Sequence, residues 1–151
     1  MRLALYQPDI AANTGTMLRL AACMGVAADI IEPCGFPFSA AAFRRAAMDY
    51  PAHAVIEHHL SWAQFLSQVR GQIRGPRIIL LSTKAAQRYT DYQYRSDDIL
   101  MVGQEGSGVP EEVGGAVDGS VLIPMAPGLR SLNVALAAAM VMGEALRQTK
   151  W

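Results

Sequence analysis

A chain of 151 residues with 13 Lys and Arg against 13 Asp and Glu has a formal net charge of zero. That excludes a global basic field, so any nucleic-acid binding must use local patches. Two cysteines, Cys23 and Cys34, exclude a disulfide framework and lack zinc spacing; both are expected as free thiols in a reducing cytoplasm, with Cys23 in the core.

The opening stretch MRLALYQPDIAANTG does not read as a signal peptide, because its apolar run is short and Pro8 and Asp9 interrupt it. Residues 2–7 predict a strand stopped by Pro8. Asn13 or Thr14 is a candidate cap for a helix running to about Met24, with Leu18, Leu20, Ala21 and Met24 as its apolar stripe. A short strand over 28–31 closes at Glu32-Pro33, and a helix is expected over 40–48. Residues 55–58 predict a third strand. His53, His58 and His59 cluster near it and are expected at the surface, with no Cys or Asp at ligand spacing, so no metal site is expected. Ser61 with Gln64 forms a capping box for a helix over 62–70 that buries Phe65, Leu66 and Val69.

Residues 77–82 (RIILLS) and 99–102 read as strands apolar on both faces. Between them, residues 85–97 read as a loop with one weak strand. A short helix over 110–116, a strand over 121–123 and a last helix over 131–149 complete the chain, with Ser131 as the expected cap. Strands alternate with helices and the central strands are apolar throughout. The expected fold is therefore α/β: a mostly parallel sheet with helices on both faces, in one domain over 1–151. Such sheets bind ligands beyond the carboxyl ends of their strands.

In residues 132–142 (LNVALAAAMVM) only Asn133 is polar. A helix apolar all round must be buried on several sides, and a small domain has little to bury it with, so a homodimer is expected. The longest apolar run, 134–143, is too short to span a bilayer, and no membrane association is expected.

Standard hydrolase, metalloprotease, Walker and Rossmann signatures are absent. Three other blocks stand out. Asn13-Thr14-Gly15-Thr16-Met17-Leu18-Arg19 opens the first helix after the first strand, and Arg19 lies one turn beyond Gly15. A helix start with an arginine suits a phosphate. The loops 103–109 and 124–130 are rich in Gly and Pro and poor in charge, which suits a site wrapped by backbone.

Taken together, N-x-G-x-x-x-R, G-x-E-x-x-G-x-P and I-P-M…S-L-N, in this order, resemble the SPOUT methyltransferases. The further blocks LYQPDIAANTGTMLRL, IIEPCGF, FRRAAMDY and STK narrow the resemblance to single-domain tRNA 2′-O-methyltransferases of the TrmL type. The resemblance implies a C-terminal trefoil knot and methylation of the wobble cytidine or uridine ribose in tRNA, with S-adenosyl-L-methionine as cofactor. It implies a homodimer with sites at the subunit interface. Cofactor contacts carry over to Leu81, Ser82, Thr83, Gly103, Glu105, Gly108, Ile123, Met125, Ser131, Leu132 and Asn133. Arg19 and Asn13 carry over as catalytic residues, and Arg44, Arg45 and Arg130 as candidate RNA contacts; Arg88, Arg95, Arg147 and Lys150 are further basic candidates. Two positions depart from the family pattern. Ser107 stands where an Arg is common, and Gly143 precedes Glu144 where an aromatic is common, which suggests a close packing contact at Gly143. The same chemistry on another RNA, and a cofactor-free RNA-binding module, are the rival readings.

Overall fold

The computed structural model describes residues 1–37, 55–73 and 75–150. The expected helix over 40–48, together with Arg44, Arg45 and His53, lies outside them. The strands are β1 (Arg2–Tyr6), β2 (Ala27–Ile31), β3 (Ile56–His59), β4 (Ile78–Leu81), β5 (Gln87–Arg88), β6 (Ile99–Val102) and β7 (Gly119–Leu122). The helices are α1 (Ala11–Met24), α2 (Trp62–Arg70), α3 (Glu111–Gly115) and α4 (Val134–Thr149). All seven strands join one parallel sheet in the order β3-β2-β1-β6-β4-β7-β5.

The apolar runs are explained by burial on both faces. Leu3, Leu5, Ala28, Ile30, Ile79, Leu100, Val102 and Val121 point to the side covered by α1 and α4. Ala4, Tyr6, Ile31, Ile78, Leu80, Ile99 and Met101 point to the other, where Phe65 and Val69 of α2 and Val113 of α3 cover them. Successive strand residues alternate faces, so a strand covered on both sides has no polar positions to spare. α2 follows its predicted limits. Ser61 Oγ accepts from Gln64 N at 3.2 Å, and Gln64 Oε1 accepts from Leu60 N at 2.7 Å.

Several expectations are corrected. α1 starts at Ala11 with Ile10 as cap residue and no side-chain cap bond, so neither Asn13 nor Thr14 caps it; the Thr14 hydroxyl instead donates to Ile10 O at 3.1 Å. Cys23 is exposed, because Met17, Leu18, Ala21 and Ala22 form the buried stripe and position 23 turns away from it. Cys34 is half-buried, and burial pushes its thiol up to about 11. The cap of α4 is Asn133, whose Oδ1 accepts from Ala135 N and Leu136 N at 2.9 and 3.3 Å, and not Ser131.

α4 is also less apolar in its demands than its sequence implies. Ala138, Val141 and Met142 bury against this chain's own core, while Leu136 and Met140 stay 60% and 41% exposed. A Cβ on Gly143 would meet nothing within 4 Å, so no close contact among the described residues explains that glycine.

His59 is not a surface histidine. It is 3% exposed, and its Nε2 lies 2.8 Å from Asp29 Oδ1. The Phe65 ring stands edge-on to it at 5.1 Å. Arg2 donates twice to Asp29, at 2.7 Å each, and lies 3.0 Å from Glu57. The donor atoms of Asp29, Glu57 and His59 fall within 4.8 Å of one another, but the Arg2 guanidinium already supplies the positive charge among them. The group is an ion-pair network that ties β1, β2 and β3 together.

Candidate active site

Because all strands run the same way, their carboxyl ends lie at one edge. The turn 7–10 leaves β1, 82–84 leaves β4, 103–109 leaves β6 and 123–133 leaves β7. The β6 loop is a tight hairpin: Gln104 and Gly108 exchange backbone hydrogen bonds at 2.8 and 2.9 Å. A Cβ on Gly103 would come within 2.6 Å of the Gly108 carbonyl carbon, so only glycine closes this turn. The Ser107 hydroxyl, at the position where an arginine is common in the resembled pattern, donates to Gln104 Oε1 within the hairpin.

Three of the predicted site residues are joined side chain to side chain. Asn133 Nδ2 donates to Asn13 Oδ1 at 3.0 Å, and Asn13 Nδ2 donates to Glu105 Oε1 at 3.2 Å. Glu105 Oε2 accepts from Asp9 N at 2.9 Å. With Asn133 Oδ1 receiving the first N–H groups of α4, every bond in this row points the same way. It begins at a helix N-terminus, where N–H groups lack intrahelical partners, and ends on a carboxylate. Bonds aligned in this manner polarise one another. The row couples the β6 loop, the start of α1 and the start of α4. Asn13 is available for it because it does not cap its own helix.

Arg19 is not part of this row. It is exposed on α1, and at 3.6 residues per turn it sits about 120° around the helix from Asn13. Among the described residues its guanidinium has no hydrogen-bond or ion-pair partner.

The remaining predicted contacts surround the same edge. Leu81, Ser82, Ile123 and Met125 are half-buried, whereas Thr83, Gly108, Ser131 and Leu132 are exposed. Cβ positions built on Gly106, Gly108 and Gly128 meet only open space. Among the described residues the surroundings are therefore apolar side chains and bare backbone, and the Glu105 carboxylate already has two donors. Such a lining suits a ligand with an apolar part and polar atoms that meet main chain.

Gln7, at the same edge, has a conformation that the sequence did not reveal. It takes φ of 44° at the end of β1, a left-handed conformation that is uncommon outside glycine and clusters at functional sites. Its amide bridges Glu32 O at 3.4 Å and Gln104 Nε2 at 3.5 Å. The residue before a proline is normally extended, so no sequence signal announced this.

The SpoU rRNA Methylase family model matches residues 1–143. A protein of Beijerinckia indica subsp. indica named tRNA (cytidine(34)-2′-O)-methyltransferase is 58% identical over 147 residues, covering 97% of this chain and 90% of that one. A solved structure described as giving structural insights into the 2-OH methylation of C/U34 on tRNA superposes with a TM-score of 0.86 at 37% identity, over 97% of this chain and 94% of that one. An AdoMet-bound rRNA methyltransferase from Sinorhizobium meliloti superposes with a TM-score of 0.83 at 26% identity, over 97% of this chain and 55% of that one. Since the family match over residues 1–143 takes in all the loops at this edge, α1 and the first part of α4, the chain belongs to the SpoU rRNA methylase family.

Proposed function

We propose that this protein methylates the ribose 2′-oxygen of the wobble nucleotide of tRNA, cytidine or modified uridine, with S-adenosyl-L-methionine as methyl donor. The observation that carries the reading is the hydrogen-bonded row from Asn133 through Asn13 to Glu105, which ties the β6 loop to the starts of α1 and α4 in a chain 58% identical to a protein named for this activity. When bound, the cofactor supplies an electrophilic methyl group on a sulfonium. Leu81, Ile123, Met125 and Leu132 would line its apolar part, and the backbone at Ser82, Thr83, Gly103, Gly108 and Ser131 its polar atoms. Glu105 and Asn133 hold the two loops at a fixed separation, with Asn13 between them. The trefoil knot implied for these loops belongs to the same reading.

Arg19 serves the acceptor. An arginine guanidinium keeps its charge and presents a planar fork. Set against the ribose and its flanking phosphate, it steadies negative charge on the 2′-oxygen as its proton passes to solvent and that oxygen takes the methyl group from the sulfonium, releasing the neutral thioether. Arg130, on the β7 loop, and Arg44 and Arg45 would contact RNA. Arg19 faces away from Asn13, and Leu136 and Met140 form an uncovered apolar stripe on α4. Both features support a cytoplasmic homodimer in which α1 and α4 meet a second copy and each crevice receives Arg19 from the opposite subunit. No helix among the described residues is long and apolar enough to cross a membrane.

The test is methyl transfer from labelled cofactor to tRNA, with the modified nucleotide mapped by mass spectrometry. Arg19→Ala is expected to abolish transfer while S-adenosylhomocysteine affinity stays within a few-fold; Arg19→Lys should rescue poorly, since an ammonium lacks the fork. A large loss of cofactor affinity in a normally folded Arg19→Ala protein would overturn the role given to Arg19.

A further inference from the structure

With no net charge, this chain can hold a polyanion only by keeping some cations free of its own carboxylates, and the described cations divide by position. At the amino ends of the strands they are neutralised. Arg2 is paired with Asp29 and Glu57, Arg77 with Asp98, and Arg70 with Asp118. On α4, Arg147 is paired with Glu144, and Lys150 donates to Met24 O at the end of α1. Both side chains are thus engaged within the chain. Arg95 stands at the amino end too, in a run with Asp97 and Asp98.

Beyond the carboxyl ends of β4, β7 and β5 the pattern reverses. Ser82 N donates to Val121 O and Lys84 N to Ser82 Oγ, which sets Lys84 just past β4 beside β7. Arg88 pairs with Leu122 on β7 from the outer strand β5. Both are exposed, and neither side chain has a hydrogen-bond or ion-pair partner among the described residues. Arg130 lies on the loop that β7 feeds. Three adjacent strands span about 10 Å, so Lys84 and Arg88 flank the crevice on one side. The next acid along the chain, Asp91, accepts from the Thr90 hydroxyl at 3.0 Å. Glu32, Glu111 and Glu112 follow β2 and β6, on the other half of the edge.

We infer that Lys84 and Arg88 form a phosphate-gripping ridge, so that the RNA backbone crosses the β4-β7-β5 side of the crevice and not the β2 side. The inference rests on the RNA-methyltransferase reading and adds the path of the strand. Lysine binds a phosphate as a point charge and arginine as a fork. Each phosphate neutralised releases counterions and steepens the salt dependence of binding.

The experiment is filter binding of a tRNA transcript to the full chain with S-adenosylhomocysteine present, across roughly 50 to 200 mM KCl. The Lys84→Ala/Arg88→Ala double variant should bind about tenfold more weakly, with the slope of log K against log salt reduced by about 1.5. Its affinity for S-adenosylhomocysteine and its melting temperature should not move. Lys84→Arg/Arg88→Lys should keep the wild-type slope, and Arg95→Ala, which removes a cation at the opposite end, should bind as wild type. Wild-type affinity and slope in the double variant would overturn the ridge alone. An equal loss in Arg95→Ala would overturn it as well, by showing that position does not matter. Wild-type protein that holds S-adenosylhomocysteine but binds no tRNA at the lowest salt would overturn the ridge together with the functional reading.

Discussion

Removing the Asn13 side chain tests the row that joins the loops. Asn13→Ala deletes the 3.2 Å bond to Glu105 and the 3.0 Å bond from Asn133, and leaves Glu105 with its 2.9 Å bond from Asp9 N. A neutral hydrogen bond contributes about 1 kcal/mol and one to a carboxylate about 1.5 kcal/mol or more. Both are partly solvated here, so about 2 kcal/mol is the upper scale of the loss. At 1.4 kcal/mol per tenfold, calorimetry with S-adenosylhomocysteine should show an affinity about five- to thirtyfold weaker. Asn13→Asp should be worse than Asn13→Ala, because it turns an acceptor towards the Glu105 carboxylate. Asn133→Ala loses the same link and also the α4 cap, so it should lower stability by about a further 1 kcal/mol. If the row acts as a unit, Asn13→Ala and Asn133→Ala together should fall short of the sum of their separate effects by about 0.5 kcal/mol or more. Affinity within twofold of wild type for Asn13→Ala, or strictly additive effects, would refute the coupling.

Gly103→Ala should destabilise the protein by about 1–3 kcal/mol, read as a fall in melting temperature, because its methyl meets Gly108 backbone at 2.6 Å. Leu136→Glu should split the proposed dimer in sedimentation, since a charge would face an apolar partner; an unchanged dimer with full activity would remove α4 from the interface. Mixing inactive Arg19→Ala with inactive Glu105→Ala protein, with subunit exchange, should restore about a quarter of wild-type activity, because half the dimers gain one intact composite site; no recovery would place Arg19 in its own chain's site. Burial holds the Cys34 thiol up at about 11, and only the thiolate is nucleophilic. Its alkylation should be slow at pH 8 and accelerate as the pH approaches 11, as followed by peptide mass spectrometry.

Local rules carried the sheet and α2. Leu80 and Met101 sit in runs whose burial follows from composition alone, and Ser61 with Gln64 marks a helix start within four residues. They failed where a distant element decides. Ser131 and Asn133 are both good caps, and it is Asn133 that a distant residue holds, through its bond to Asn13 at 3.0 Å. Cys23 follows two alanines in a helix whose small residues blur the apolar stripe. His59 looked exposed because nothing near it in sequence foretells Asp29 across the strand pair or Phe65 above it. The blocks around Asn13, Glu105 and Asn133 were legible as motifs; that their side chains touch was not, because three segments far apart in the chain have to meet first.

The place of β6 in the sheet has a consequence for how the chain is made. β1 lies between β2 and β6, and Arg2 pairs with Ala27 on one side and Ile99 on the other. On the ribosome the first neighbour emerges early and the second late. At about 5–20 residues per second, the open side of β1 waits for seconds with its backbone donors and acceptors unpaired, and Leu3, Ala4, Leu5 and Tyr6 still to be covered. A bare strand edge of that kind invites pairing with other chains. Fragments that stop short of Ile99 should therefore precipitate or be held by chaperones, and the yield of folded protein should depend on the pace of translation through residues 32–98 more than on the stability of the finished sheet.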